Sequence, residues 1–123
     1  MKLRIVLATV ALAALAACSG GGSAASATPP ADADASITAQ GNAFEPRAVE
    51  IPAGQPFELF FKNLDGQPHN VAIYRDSSAS QSLFVGENVT DGVVTYEVPA
   101  LPAGDWFFRC DVHPDMQGTI NAG

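Results

Sequence analysis

Phe57, Leu59 and Phe61 alternate with Glu58, Phe60 and Lys62, the period of a strand that lays one face on a core. The same short alternation recurs from Ser36 onward, broken by Gly, Pro, Asn and Asp. It predicts strands over Ser36–Gln40, Ala48–Ile51, Phe57–Asn63, Asn70–Tyr74, Leu83–Val85, Val93–Val98, Asp105–Cys110 and Gly118–Asn121. Turns are expected at Pro52-Ala53-Gly54, Asp65-Gly66, Asp91-Gly92 and Pro99 to Gly104, and the polar stretch Asp76 to Ser82 reads as loop. No useful length carries helical periodicity, and no internal repeat is visible. Seven to eight short strands imply an all-β antiparallel sandwich or barrel. Phe57, Leu59, Phe61, Trp106 and Phe108 are the expected core.

The first 35 residues follow a different pattern. Lys2 and Arg4 precede an apolar run, Ile5 to Ala17, interrupted only by Thr9. A bilayer-spanning helix needs about 20 apolar residues, so this shorter run reads as a secretory signal. Leu15-Ala16-Ala17-Cys18 resembles the bacterial lipobox, in which the cysteine becomes the lipidated first residue. An ordinary signal with an incidental Cys18 is the alternative. Ser19 to Ala35 has no large apolar residue and reads as a tether. The expected organisation is a lipoprotein signal peptide over 1–17, a lipidated Cys18 with a flexible linker over 18–35, and one domain over 36–123. The expected location is periplasmic or extracytoplasmic, lipid-anchored to a bacterial membrane.

Charge narrows the partners. Without Lys2 and Arg4, the four remaining basic residues (Arg47, Lys62, Arg75 and Arg109) face thirteen acidic ones, a net charge of −9. Phosphate neutralisation needs clustered Lys and Arg, so nucleic acid is not expected as a partner. A partner guided by charge should be basic.

Cys110 is the one cysteine in the domain and cannot form an internal disulfide. A free thiol outside the cytoplasm is open to oxidation unless something occupies or buries it. The segment Cys110-Asp111-Val112-His113-Pro114-Asp115-Met116 places a thiolate, an imidazole and a thioether together, and Pro68-His69-Asn70 adds a second imidazole at another strand start. Two His, one Cys and a Met are the donor set of blue-copper electron-transfer sites. Any one of these residues alone is ordinarily packing or surface. After Cys18, however, the chain has two His, one Cys and one Met, and all four fall in this constellation. Structural zinc would favour paired cysteines, and catalytic zinc would leave Met116 unexplained. A Cys110 nucleophile with His113 or His69 as base lacks any accompanying oxyanion-donor pattern.

Cys110-x-x-His113-x-x-Met116, followed by Gly118 and preceded by Pro68-His69-Asn70, resembles the cupredoxins, the type 1 blue copper proteins. It is most similar to the amicyanin type, which has this short ligand loop and the same His-Pro step. Phe44-Glu45-Pro46 and the turns at Pro52-Ala53-Gly54 and Leu101-Pro102-Ala103-Gly104 extend the likeness. The resemblance implies a Greek-key β-sandwich with one mononuclear copper, Cu(II)/Cu(I), at one end. It implies His69, Cys110, His113 and Met116 as metal ligands, Met116 being axial. Asn70 would tie the two ligand loops together, and His113 would be the partly exposed route for electrons. Asp115 departs from the family, which often has an apolar or uncharged residue there; it reads either as a solvated loop aspartate or, with Asp111, as a charge that favours Cu(II) and steers a basic partner.

The expected function is carriage of single electrons between extracytoplasmic or membrane-associated redox proteins, by a monomer and not an enzyme. A basic c-type cytochrome, a dehydrogenase or a terminal oxidase or reductase are the expected partners. Copper capture or delivery with the same ligands is the alternative.

Overall fold

The computed structural model describes residues 28–123. The expected signal peptide, Cys18 and most of the expected linker lie outside the described residues. Nine strands follow: β1 (Ala35–Gln40), β2 (Ala43–Glu45), β3 (Ala48–Ile51), β4 (Phe57–Asn63), β5 (Ala72–Tyr74), β6 (Ser82–Val85), β7 (Gly92–Val98), β8 (Gly104–Arg109) and β9 (Gln117–Ala122). They form a four-stranded sheet in the order β2-β1-β4-β7 and a five-stranded sheet in the order β3-β9-β8-β5-β6. Among the described residues, no helix is long and apolar enough to cross a membrane.

Of the antiparallel sandwich or barrel expected from the alternation, the sandwich is present, with β1–β4 and β3–β9 paired parallel rather than antiparallel, and β3 and β4 have the expected bounds. The additional strand is β2. Gly41 and Asn42 have φ of +63° and +56°, and Gln40 pairs with Ala43 across them. A two-residue turn with both φ positive suits the right-handed twist of a hairpin. β2 has only three residues and ends before Pro46, too short for alternation to reveal it.

The inner faces meet in one core. Ile37, Leu59, Phe61, Phe108 and Ile120 are fully buried there, beside Phe57 and Trp106. Burial of each large side chain contributes about 1.5–3 kcal/mol. Phe44 lies edge-on to Phe61 and tilted against Phe108, with ring centroids 6.3 and 5.3 Å apart, so the short β2 locks the two sheets together.

Strand direction decides where the ends lie. β1 runs parallel to β4, from Ala35 beside Leu59 to Ala39 beside Asn63. Ahead of β1, the Asp34 N–H donates to the Glu58 carbonyl at 3.0 Å, and the Glu58 N–H donates to the Asp34 carboxylate at 2.9 Å. Pairing with β4 thus begins at Asp34, one residue ahead of β1.

Candidate metal centre

Three loops converge beyond Asn63. The first, between β4 and β5, carries His69. Asn63 is completely buried, and its Nδ2 donates to the carbonyls of Gln67 at 2.7 Å and Val89 at 2.6 Å, while its Oδ1 accepts from the Asp65 N–H at 2.9 Å. These bonds close the turn through Asp65-Gly66 and tie it to the β6–β7 loop. His69 is bound to that second loop by a reciprocal pair of backbone hydrogen bonds with Val89, at 3.0 and 2.8 Å.

The third loop joins β8 to β9 and carries the other three candidates. The Cys110 N–H donates to the Met116 carbonyl at 3.0 Å, and the Met116 N–H donates to the His113 carbonyl at 2.9 Å. This closed loop brings Cys110 and Met116 back into the core cluster, while His113 stays half-buried. Cys110 and His69 have no exposed surface, and Met116 is 2% exposed.

His69 Nδ1, His113 Nδ1 and Cys110 Sγ face one another. The two nitrogens are 3.1 Å apart, and the sulfur lies 3.7 Å from His69 and 4.0 Å from His113. These are the His/Cys/Asp/Glu side chains that the fold groups as a possible metal site, with Met116 nearby in the same buried cluster. The point equidistant from the three atoms lies about 2.1 Å from each, within the ~2.0–2.3 Å of metal–imidazole and metal–thiolate bonds. A soft thiolate with two imidazoles is a donor set that suits copper. The residues present therefore fit the ion.

Several groups around the triangle were not visible in the sequence. Asp65, read there only as a turn residue, places Oδ2 2.9 Å from His69 Nε2. Its two carboxylate oxygens also accept from the N–H groups of Gly41, at 2.6 Å, and Asn42, at 3.0 Å. Desolvation works against the Asp65 carboxylate, but those two N–H groups and the His69 ring outweigh it and hold its carboxyl below the usual aspartate value. Nothing local foretells this, because Gly41 is 24 residues away.

Asn70 does join the ligand loops, as the resemblance implied. Its Oδ1 accepts from the Asp111 N–H at 2.9 Å and its Nδ2 donates to the Gly86 carbonyl at 2.9 Å. Asp111, expected to face a partner, has a second commitment. Its carboxylate accepts from the Tyr74 hydroxyl at 2.7 Å and from Arg109 Nε at 3.0 Å. The guanidinium of Arg109 also lies over the Tyr74 ring. Asp115 is exposed at the rim of the loop.

The family model described as Cupredoxin-like domain matches residues 6–122. Among solved structures, amicyanin from Paracoccus versutus (Thiobacillus versutus) is 28% identical with a TM-score of 0.61, over 81% of this chain and 88% of that one. Reduced auracyanin from Roseiflexus castenholzii has a TM-score of 0.63 at 19% identity, over 72% of this chain and 95% of that one. Auracyanin A from Chloroflexus aurantiacus, described as a "blue" copper protein, has a TM-score of 0.60 at 21% identity, over 72% and 96% of the two chains. No curated protein matches this chain in sequence.

Proposed function

This chain belongs to the cupredoxin-like family, and from that premise we propose that it carries single electrons on one copper ion held by His69, Cys110, His113 and Met116. The observation that carries the reading is the convergence of two Nδ1 atoms and a thiolate sulfur around one point at bonding distance. Copper bound there supplies a one-electron couple, with the methionine as a weak fourth donor.

The protein's own part is to hold the donors still and keep water out. His69 and Cys110 have no exposed surface, and each is pinned by backbone bonds to a neighbouring loop or to its own. Only His113 among the proposed ligands reaches the surface, so its ring edge is the route for electrons to and from a partner. Burial of the other three favours a resident ion and a carrier over copper delivery, which needs exchangeable ligands. Neither a substrate position nor a catalytic residue is part of this reading.

The partners fit the same end of the molecule. Glu87, Asp91 and Asp115 are exposed on the loops around the site, which suits a redox protein with a basic docking face such as a c-type cytochrome, a dehydrogenase or a terminal oxidase. The chain works as a monomer, anchored outside the cytoplasm by a lipid on Cys18. Loss of membrane association in Cys18→Ser, with the colour of the loaded protein unchanged, is the expected result for that anchor.

Titration of the purified protein with Cu(II) tests the central claim. One equivalent should give the intense visible absorption of a copper–thiolate bond, bleached by a mild reductant. A colourless product would remove Cys110 from the coordination sphere and the reading with it.

A further inference from the structure

Asp65 stands beside the proposed copper site without being one of its ligands. Its side chain is 9% exposed, and that of His69 is fully buried. A carboxylate accepts hydrogen bonds and does not donate them, so the His69 Nε2 it faces at 2.9 Å carries the ring proton. A neutral imidazole has one proton to place, and the bond at one nitrogen decides the state of the other. His69 Nδ1 is therefore left as a bare lone pair, and it is this atom that faces His113 and Cys110.

The carboxylate is itself held from a third direction. Gly41 and Asn42 donate to it from the β1–β2 turn, where both residues have positive φ. Gln67 Nε2 donates to Asn42 Oδ1 at 2.7 Å, which binds the turn to the His69 loop a second time. Among the described residues, no Lys or Arg lies within ion-pair distance of Asp65; its one ionisable partner is His69. Its negative charge is thus set behind the ring with no cation to cancel it.

Resting on the copper reading above, we propose that Asp65 is a positioning residue for the metal centre: it orients His69 with Nδ1 bare and toward the ion, and its part-buried charge favours the oxidised ion over the reduced one. Two consequences follow separately. The first concerns the ring and holds without metal. The second concerns the balance between Cu(II) and Cu(I), because a fixed negative charge stabilises the more positive ion more. A residue that merely braces the β1–β2 turn would produce neither.

The test has one arm for each. In the metal-free protein, long-range proton–nitrogen NMR correlation of His69 should show the proton on Nε2. In Asp65→Ala that preference should weaken or vanish. A wild-type ring protonated on Nδ1 would overturn the proposal whatever the copper result. In the copper-loaded Asp65→Asn variant, the blue absorption should persist while the Cu(II)/Cu(I) ratio at a fixed ambient potential falls about tenfold, a rise of roughly 59 mV for one electron. A blue variant with an unmoved potential would overturn the charge effect and reduce Asp65 to a brace. A wild-type protein that stays colourless with copper would instead overturn the copper reading itself, and the NMR arm tells that failure apart from the failure of Asp65 to set the ring.

Discussion

The Asn70 side-chain oxygen accepts a hydrogen bond from the Asp111 N–H at 2.9 Å, joining two loops separated by 41 residues of chain. It sets the distance between His69, one residue before Asn70, and Cys110, one residue before Asp111. Asn70 is 3% exposed, and its other end is committed to the Gly86 carbonyl. Asn70→Ala leaves the buried Gly86 carbonyl and the part-buried Asp111 N–H unpaired, at up to about 1–3 kcal/mol each. Chemical denaturation of the metal-free protein should show a loss of roughly 2–4 kcal/mol. A change below 0.5 kcal/mol, as for an ordinary surface substitution, would mean that the loops are held by other contacts.

Copper should stabilise the fold, since the triangle of donors exists only in the native state. A ligand present at about a thousandfold above its dissociation constant adds about 4 kcal/mol. The expected outcome is a higher melting temperature with Cu(II) for the wild type and a much smaller shift for Cys110→Ser. Equal shifts in both proteins would place the copper elsewhere.

Asp111 and Asp115 are both exposed, but the Asp111 carboxylate is paired with Arg109 and the Tyr74 hydroxyl. Of the two acids on the ligand loop, Asp115 is therefore the one free to steer a basic partner. Asp115→Asn should slow association with a basic cytochrome a few-fold at low salt, and the difference should fade when the Debye length shortens to about 3 Å near 1 M salt. Stopped-flow rates measured against ionic strength check this; identical rates at low salt would remove Asp115 from docking.

The hydroxyl of Tyr96 donates to the Glu87 carbonyl at 2.7 Å, under a ring stacked on Phe61. Burial, followed by the nearby Glu87 charge, pushes its ionisation well above the ordinary tyrosine value of 10.0. The folded state therefore holds this proton more tightly than the unfolded state does. Stability is fully present below pH 10 and falls as the pH rises from there toward the folded value. Tyr74, raised in the same direction by burial and the Asp111 carboxylate, adds to the slope. Denaturation midpoints measured between about pH 9 and 11 should fall for the wild type and fall less for Tyr96→Phe. Equal slopes would assign the alkaline loss to other groups.

The convergence of His69, Cys110 and His113, with Met116 nearby, was legible in the sequence because soft donors are scarce there: with one Cys and one Met in the domain, chemistry and counting coincide. β4 was legible because its apolar face repeats at every second residue, and the inward residues Phe57, Leu59 and Phe61 are buried as that pattern requires. The supporting groups were not legible. Asp65 looks like an ordinary turn residue and Asn63 like a strand end. His69 is only four positions from Asp65, but the bonds that fix Asp65 and tie Asn63 to the β6–β7 loop come from partners 24 and 26 positions away. Polar contacts of that range depend on which strands become neighbours, which periodicity does not state. The turn Gly41-Asn42 and the strand after it were not expected, because β2 has only three residues and is too short to show alternation.

The parallel pairing of β1 with β4 has a geometric consequence for encounters. Asp34 joins Glu58 at one pole of the sandwich, and Asn63 braces the His69 turn at the other. Those two positions on β4 are five residues apart, about 17 Å of extended strand. The described chain therefore enters the sandwich at the pole opposite the His69 turn. An anchor on that side, as proposed for Cys18, would leave the proposed redox face uncovered and free to meet passing partners, like the free end of a buoy.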